Sequence, residues 1–342
     1  MEGRRRGGFT ACIGGNIAQV GRRTADILSL AVGVAWGLSF TVGKFLIAYL
    51  GPALYVGITF TAAGILLAAW LLVARVPVRR RAIAPSVALG LVLAAATVLQ
   101  CVGLRATSPG VSGLLTDLAV VLTPLLAYAL HGVRPRRRTA AAVVLATAGA
   151  GALAGGGGAG AWGGGLLCLA GATLYSLYAV ALDRVAPEED ALGVAAFALG
   201  GGGVAALGWA ALSGAHFPAG PAPALLGAAL AYEVLVGTLA GFAVQSVAQR
   251  QGGPTRFALL TSVDGVAALA FGVLLTGERL TPSGIAGAVL VLAAVASAQG
   301  EGDEPQRRRR PLPPPSLARA PTAPCGTAAR PPALRFGAPM GR

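Results

Sequence analysis

Ten apolar stretches, each close to the length of a helix that crosses a bilayer, take up nearly all of the chain between Ile27 and Ala298. They lie at 27–47, 52–74, 85–104, 111–130, 140–154, 162–182, 192–212, 224–247, 257–275 and 282–298. A helix rises 1.5 Å per residue, so about 20 apolar residues span the hydrocarbon and about 17 is the short end. The fifth and tenth stretches are the shortest and are rich in Ala and Gly. Composition points the same way, because 55% hydrophobic and 12% charged residues leave too little polar surface to cover a soluble globule of 342 residues. The expected fold is an all-α polytopic membrane protein of ten transmembrane helices. With 51 Gly residues and few aromatics, those helices are expected to pack backbone to backbone.

A formal charge of +14 would suggest nucleic acid in a soluble protein. Here the basic residues sit in clusters between the apolar stretches, which explains the charge without nucleic acid as a partner. Arg4, Arg5, Arg6, Arg22 and Arg23 precede the first stretch, Arg75 and Arg79 to Arg81 follow the second, and Arg134 and Arg136 to Arg138 follow the fourth. Arg184, Arg250, Arg256 and the run Arg307 to Arg310 continue the alternation, whereas the opposite loops hold only Arg105 and Arg279, with Lys44 at the end of the first helix. Basic loops stay on the cytoplasmic side during insertion. The expectation is a multi-pass protein of a bacterial-type inner membrane with both termini cytoplasmic. The acidic trio Glu188, Glu189 and Asp190 does not disturb it, since acidic residues count little in that rule.

Four cysteines are too few and too scattered for a disulfide framework, and Cys101 and Cys168 fall inside apolar stretches. The first stretch is preceded by five arginines and runs on into the second, so a cleaved signal peptide is not expected. Residues 1–26 form a basic cytoplasmic segment. Residues 301–342, with Pro311 and Pro313 to Pro315, are expected to form a disordered cytoplasmic tail whose arginines could touch anionic lipid.

An internal repeat appears at a shift of 145 positions. Arg105, Pro109, Leu114, Leu115, Thr116, Gly132 and Arg134 fall on Arg250, Pro254, Leu259, Leu260, Thr261, Gly277 and Arg279, and Gln100 falls on Gln245. The Arg, Pro, Gln and Thr matches carry the inference, since Leu matches are common by chance in membrane sequence. Each half, 27–157 and 158–300, then holds five spans, and an odd number forces the second half to insert upside down relative to the first. Two inverted five-helix repeats are a transporter architecture.

Three segments carry a resemblance to a known family. They are Trp36-Gly37 with Ser39, Phe40 and Lys44; Gln100 through Gly103-Leu104 and Leu114-Leu115-Thr116 to Val120, Val121 and Thr123-Pro124-Leu125-Leu126; and Gly277-Glu278-Arg279-Leu280-Thr281. In order and spacing the chain resembles the EamA-like branch of the drug/metabolite transporter superfamily over residues 27–299. The resemblance implies a ten-helix inverted-repeat carrier of amino acids, their derivatives or other small metabolites, moved most often outward. Members usually carry a Glu-Arg pair after the fourth helix, where this chain reads Gly132-Val133-Arg134, and an Arg early in the second, where it offers Thr59. Asp264-Gly265 stands where the family often has Glu-Pro.

Ionisable groups inside spans are costly, at about 2.5 to 3.5 kcal/mol at the bilayer centre, and so mark function. Glu233 lies about nine residues, or about 14 Å, into the eighth span. There it could bind protons, pair with a substrate amine, or remain a neutral hydrogen-bonding group. Asp264 and Asp117 lie shallower. Asp117 maps onto Ser262, two positions from Asp264, and two helical residues differ by about 200° in direction. The two carboxyls are therefore not expected to take symmetric seats in one cavity. Each either lines the pathway or bonds locally. Trp36 either walls a cavity or packs, Gln100 and Gln245 either face substrate or bond between helices, and Lys44 either snorkels to the outer interface or contacts substrate. Ser108-Pro109 and Thr281-Pro282 read as capped helix starts, with Glu278 a structural residue of an outer loop.

Enzymatic chemistry finds little support. His131 and His216 have no partner at metal-ligand spacing, and the glycine runs at 155–158 and 200–203 lack the Lys-Ser or Lys-Thr of a phosphate cradle. No catalytic residue, metal or cofactor is expected. The expected partners are a small-molecule substrate, protons and the bilayer. The cavity should be bounded by the first, third, fourth, sixth, eighth and ninth spans. A scaffold or subunit with no transport of its own is the competing reading, favoured by a sealed interior; a polytopic membrane enzyme is a third.

Overall fold

Apolar Ala, Leu and Val runs with no competing strand pattern give helices wherever the chain is described. The computed structural model describes residues 21–76, 78–132, 137–155, 159–185, 191–215, 223–279 and 281–299. The first twenty residues, the tail after 299, and the loops holding Arg134 and Arg136, Gly156 to Gly158, Glu188 to Asp190, and His216 lie outside them.

The helices are α1 (Arg22–Leu50), α2 (Pro52–Val73), α3 (Arg80–Ala106), α4 (Pro109–Thr116), α5 (Ala119–His131), α6 (Arg137–Gly155), α7 (Ala159–Val185), α8 (Ala191–Leu212), α9 (Pro223–Tyr232), a π-helical segment Glu233–Ala240, α10 (Gly241–Thr261), α11 (Val263–Thr276) and α12 (Pro282–Gln299). Proline opens α2, α4 and α12, where its fixed φ suits a first turn and its missing N–H costs nothing. Ser108 Oγ accepts from Val111 N at 3.3 Å, and Thr281 Oγ1 from Gly284 N at 3.0 Å, so both expected caps form.

Eight helical stretches among the described residues are long and apolar enough to cross a membrane, and two shorter apolar helices, Ala141–Leu153 and Pro282–Ser297, accompany them. Burial is inverted relative to a soluble protein. Leu72, Leu212 and Leu274 are 79%, 86% and 77% exposed, whereas Asp117, Glu233 and Asp264 are 4%, 2% and 7% exposed. An apolar exterior around a polar interior suits a hydrocarbon solvent.

The main packing pairs join the two halves: α2 with α8, α3 with α7 and α8, α6 with α12, α1 with α10 and α11, and α4 with α11. Two long helices are interrupted at repeat-equivalent points. Between α4 and α5, Asp117 and Leu118 take φ/ψ of −57°/−21° and −61°/−15°, and the amides of Leu118, Val120 and Val121 bond three residues back. Between α10 and α11, Ser262 takes −61°/−5°. Asp117 and Ser262 are matched by the 145-residue repeat, as are Gly132 and Gly277, which end α5 and α11 with φ of 71° and 65°. Only glycine holds that left-handed turn without strain. α10 also bends at Gly253, next to Pro254.

Candidate functional site

Where the broken helices meet α1 and the π-helical segment, polar side chains have no lipid-free place to go but inward. They surround a cavity of about 170 Å³ that touches Trp36, Gln100, Asp117, Glu233, Gln245 and Asp264 together. All six residues singled out in the sequence therefore face one space. The helices that bound it are those expected, with one correction. The second span also contributes, through Tyr55, Thr59 and Phe60 of α2.

Glu233 opens the π-helical segment. Winding one residue wider than an α-helix displaces side chains from their usual register, and such bulges concentrate at functional sites. Tyr55 OH donates to Glu233 Oε2 at 2.9 Å, whereas Oε1 has no hydrogen-bond partner. The carboxyl lies along Gly237, where an added Cβ would come within 2.6 Å of Oε2 and 2.8 Å of Ser39 Oγ. α1 clamps the widened turns from either side. Trp36 Nε1 donates to Gly237 O at 2.7 Å, and Tyr232 OH donates to Ala35 O at 2.7 Å. Trp36 thus both positions the segment and walls the cavity, with Phe242 and Phe257 at ring-centroid distances of 5.6 Å and 6.0 Å.

Asp117 and Asp264 come close together at the crossing of α4 and α11. Asp117 rests on the Cα of Gly265, in the space a side chain there would need. Neither residue lies in an uninterrupted helix: Asp117 caps α4 and Asp264 sits in the first turn of α11, each beside a break. As carboxylates, Asp117 Oδ2 and Asp264 Oδ1 would both lack a donor. A proton shared between two adjacent carboxyls can supply it, one group donating to the other.

Gln100 bonds between helices, donating from Nε2 to Thr116 Oγ1 at 2.8 Å and accepting from Tyr175 OH at 3.2 Å. Gln245 Oε1 has no partner. Lys44 does not line the cavity; its amine donates to the Thr107 carbonyl at the junction of α3 and α4. Beside it Glu278 accepts from Ser108 Oγ and, at 3.1 Å, from Gly110 N, tying the α11–α12 loop to the start of α4. Tyr55 and Tyr175 are cavity residues that sequence reasoning missed. Each is an aromatic hydroxyl inside a span, a signal of the same kind as Gln100.

A polytopic, all-helical bundle with a polar cavity between its two halves is the class of protein defined here. Residues 23–154 and 162–298 each match the EamA-like transporter family, well over half of the chain, and the chain belongs to that family within the drug/metabolite transporter superfamily. It is a multi-pass membrane protein of a family that transports small molecules. A solved crystal structure of a protein is similar in fold, at a TM-score of 0.63 and 20% identity, covering 83% of this chain and 100% of that one. No curated protein matches.

Proposed function

We propose that the chain is a secondary carrier that exports small metabolites, amino acids or their derivatives among them, by alternating access around the Glu233 cavity. The observation that carries this reading is the cavity itself. Both halves line it, and at its wall stands a buried carboxyl with one oxygen unpartnered. A sealed scaffold has no use for such a group, whose burial without a partner is costly.

The ten helices form two inverted five-helix repeats that rock against one another. The packing pattern supports this: exchanging the two halves maps the α3–α7 contact onto the α1–α10 contact and the α1–α11 contact onto the α5–α7 contact, and maps α2–α8 and α6–α12 onto themselves. Broken helices at repeat-equivalent points supply irregular backbone where it lines a cavity, as carriers of this architecture require. Both termini are cytoplasmic, as the arginine loops imply. Glu233 recognises substrate or couples protons, and Asp117 and Asp264 share a proton beside it.

The experiment compares intracellular and extracellular metabolite pools with and without overexpression. Export predicts an outward shift of specific amines or amino acid derivatives. An unchanged profile across amino acids and their toxic analogues would count against it.

A further inference from the structure

Which small molecule a cavity accepts is limited by the charges and open hydrogen-bonding atoms it presents. Among the described residues that line this one there are three carboxyls and no Lys, Arg or His. The nearest cations are committed elsewhere. Lys44 donates to the Thr107 carbonyl, and Arg256 pairs with Asp26 through Nε at 2.9 Å and Nη2 at 2.7 Å.

Most donors that might greet an anion are also taken. The Trp36 indole serves Gly237 O, the Tyr55 hydroxyl serves Glu233, and the Tyr175 hydroxyl is shared between Thr97, at 2.8 Å, and Gln100. At the start of α11, the natural anion site of a broken helix, the protein's own Asp117 carboxyl lies against Gly265. What remains open is mostly acceptor. Glu233 Oε1, Gln245 Oε1 and Gln249 Oε1 lack partners, against two donors, Gln249 Nε2 and the Ser39 hydroxyl.

Part of the lining is aromatic. Trp36, Phe60, Phe242 and Phe257 form a connected cluster, with Phe60 and Phe242 at 5.6 Å. Ring faces attract a cation within about 6 Å and accept an apolar ring equally well. About 170 Å³ is the size class of a cavity that holds one benzene-like ring.

We infer that the substrate class is a protonated amine that carries an apolar, ring-sized body and no carboxylate. Its ammonium sits on Glu233 Oε1 and its body against the Trp36–Phe242 wall. A zwitterionic amino acid fits poorly, because its carboxylate would be buried beside three acidic side chains with no cation to meet it. This inference rests on the carrier reading above and narrows it.

The test uses the purified full-length chain in detergent and three probes that differ only in charge: 2-phenylethylammonium, L-phenylalanine, which adds a carboxylate, and 3-phenylpropionate, which has the carboxylate alone. Binding is measured by calorimetry on the wild-type protein, so no variant need fold. The ammonium should bind at least about tenfold more tightly than phenylalanine, a difference of ~1.4 kcal/mol, and the propionate should not bind. Phenylalanine binding as tightly as the ammonium, or no binding of the ammonium, overturns the inference. Glu233→Gln, checked for folding by size exclusion, should lose the ammonium preference; a variant that keeps it also overturns the assignment to Glu233. Flux into vesicles separates the two readings. Phenylalanine bound and moved would refute the substrate class but keep the carrier, whereas ammonium bound but never moved would refute the carrier and keep the class.

Discussion

Two acidic sites face the same cavity and solve the problem of a buried carboxyl in different ways. Asp117 and Asp264 answer each other if they share a proton, as proposed: that proton and a close approach over Gly265 leave little for a ligand to add. Glu233 is only half answered. Tyr55 takes one oxygen and the other is open, on a π-helical turn that two contacts from α1 hold in place. A pair set across the two halves can hold them together, while in the proposed reading a lone, partly satisfied carboxyl takes a counter-ion from the substrate. Position alone does not make a buried acid a recognition group; what matters is whether the protein has already used its lone pairs.

The largest effect that would break this comparison is at Gly265. An alanine there would push its methyl into Asp117, so Gly265→Ala should lower stability by about 1 to 3 kcal/mol, read as a fall in the thermal midpoint in detergent. An unchanged midpoint would mean that the aspartates do not depend on the close crossing of α4 and α11.

A smaller effect sharpens the pairing. Asp117→Asn or Asp264→Asn alone replaces the shared proton with an amide donor and should cost less than about 1 kcal/mol each. The double variant should deviate from additivity, with a coupling of about 0.5 to 3 kcal/mol in a stability cycle. Strict additivity would show that the two carboxyls act independently.

Smallest is the change at the hydrogen bond that orients Glu233. Tyr55→Phe removes one donor to a carboxyl while keeping the ring, so it should weaken amine binding by about 1 kcal/mol and leave folding intact. Calorimetry on wild type and variant checks this, and unchanged affinity would mean that Tyr55 does not position the carboxyl.

Much of this was legible in the chain. Hydropathy located the helices, the 145-residue repeat paired the points where they later prove broken, and the cost of buried polarity picked out Glu233, Asp117, Asp264, Gln100 and Gln245. What was not legible shares one physical cause. Ideal helices were assumed through points where the backbone breaks, so the breaks and the closeness of Asp117 to Asp264 stayed hidden, and the π-helical winding at Glu233 has no periodicity to announce it. Tyr55 was missed because it lies only four residues into its stretch, where an aromatic hydroxyl reads as an interface anchor. The bond from Lys44 to the Thr107 carbonyl, freed where α3 ends, is invisible without the junction geometry.

Central to the account is the use of Glu233 as the charged partner in transport. The measurement is substrate flux in reconstituted vesicles under an imposed proton gradient, comparing wild type with Glu233→Gln and normalising to folded protein. The amide keeps size and hydrogen bonding and removes only the ionisable group. The account predicts gradient-driven flux in the wild type and a loss of at least about tenfold in the variant. Wild-type flux with wild-type pH dependence in the Gln variant would contradict it.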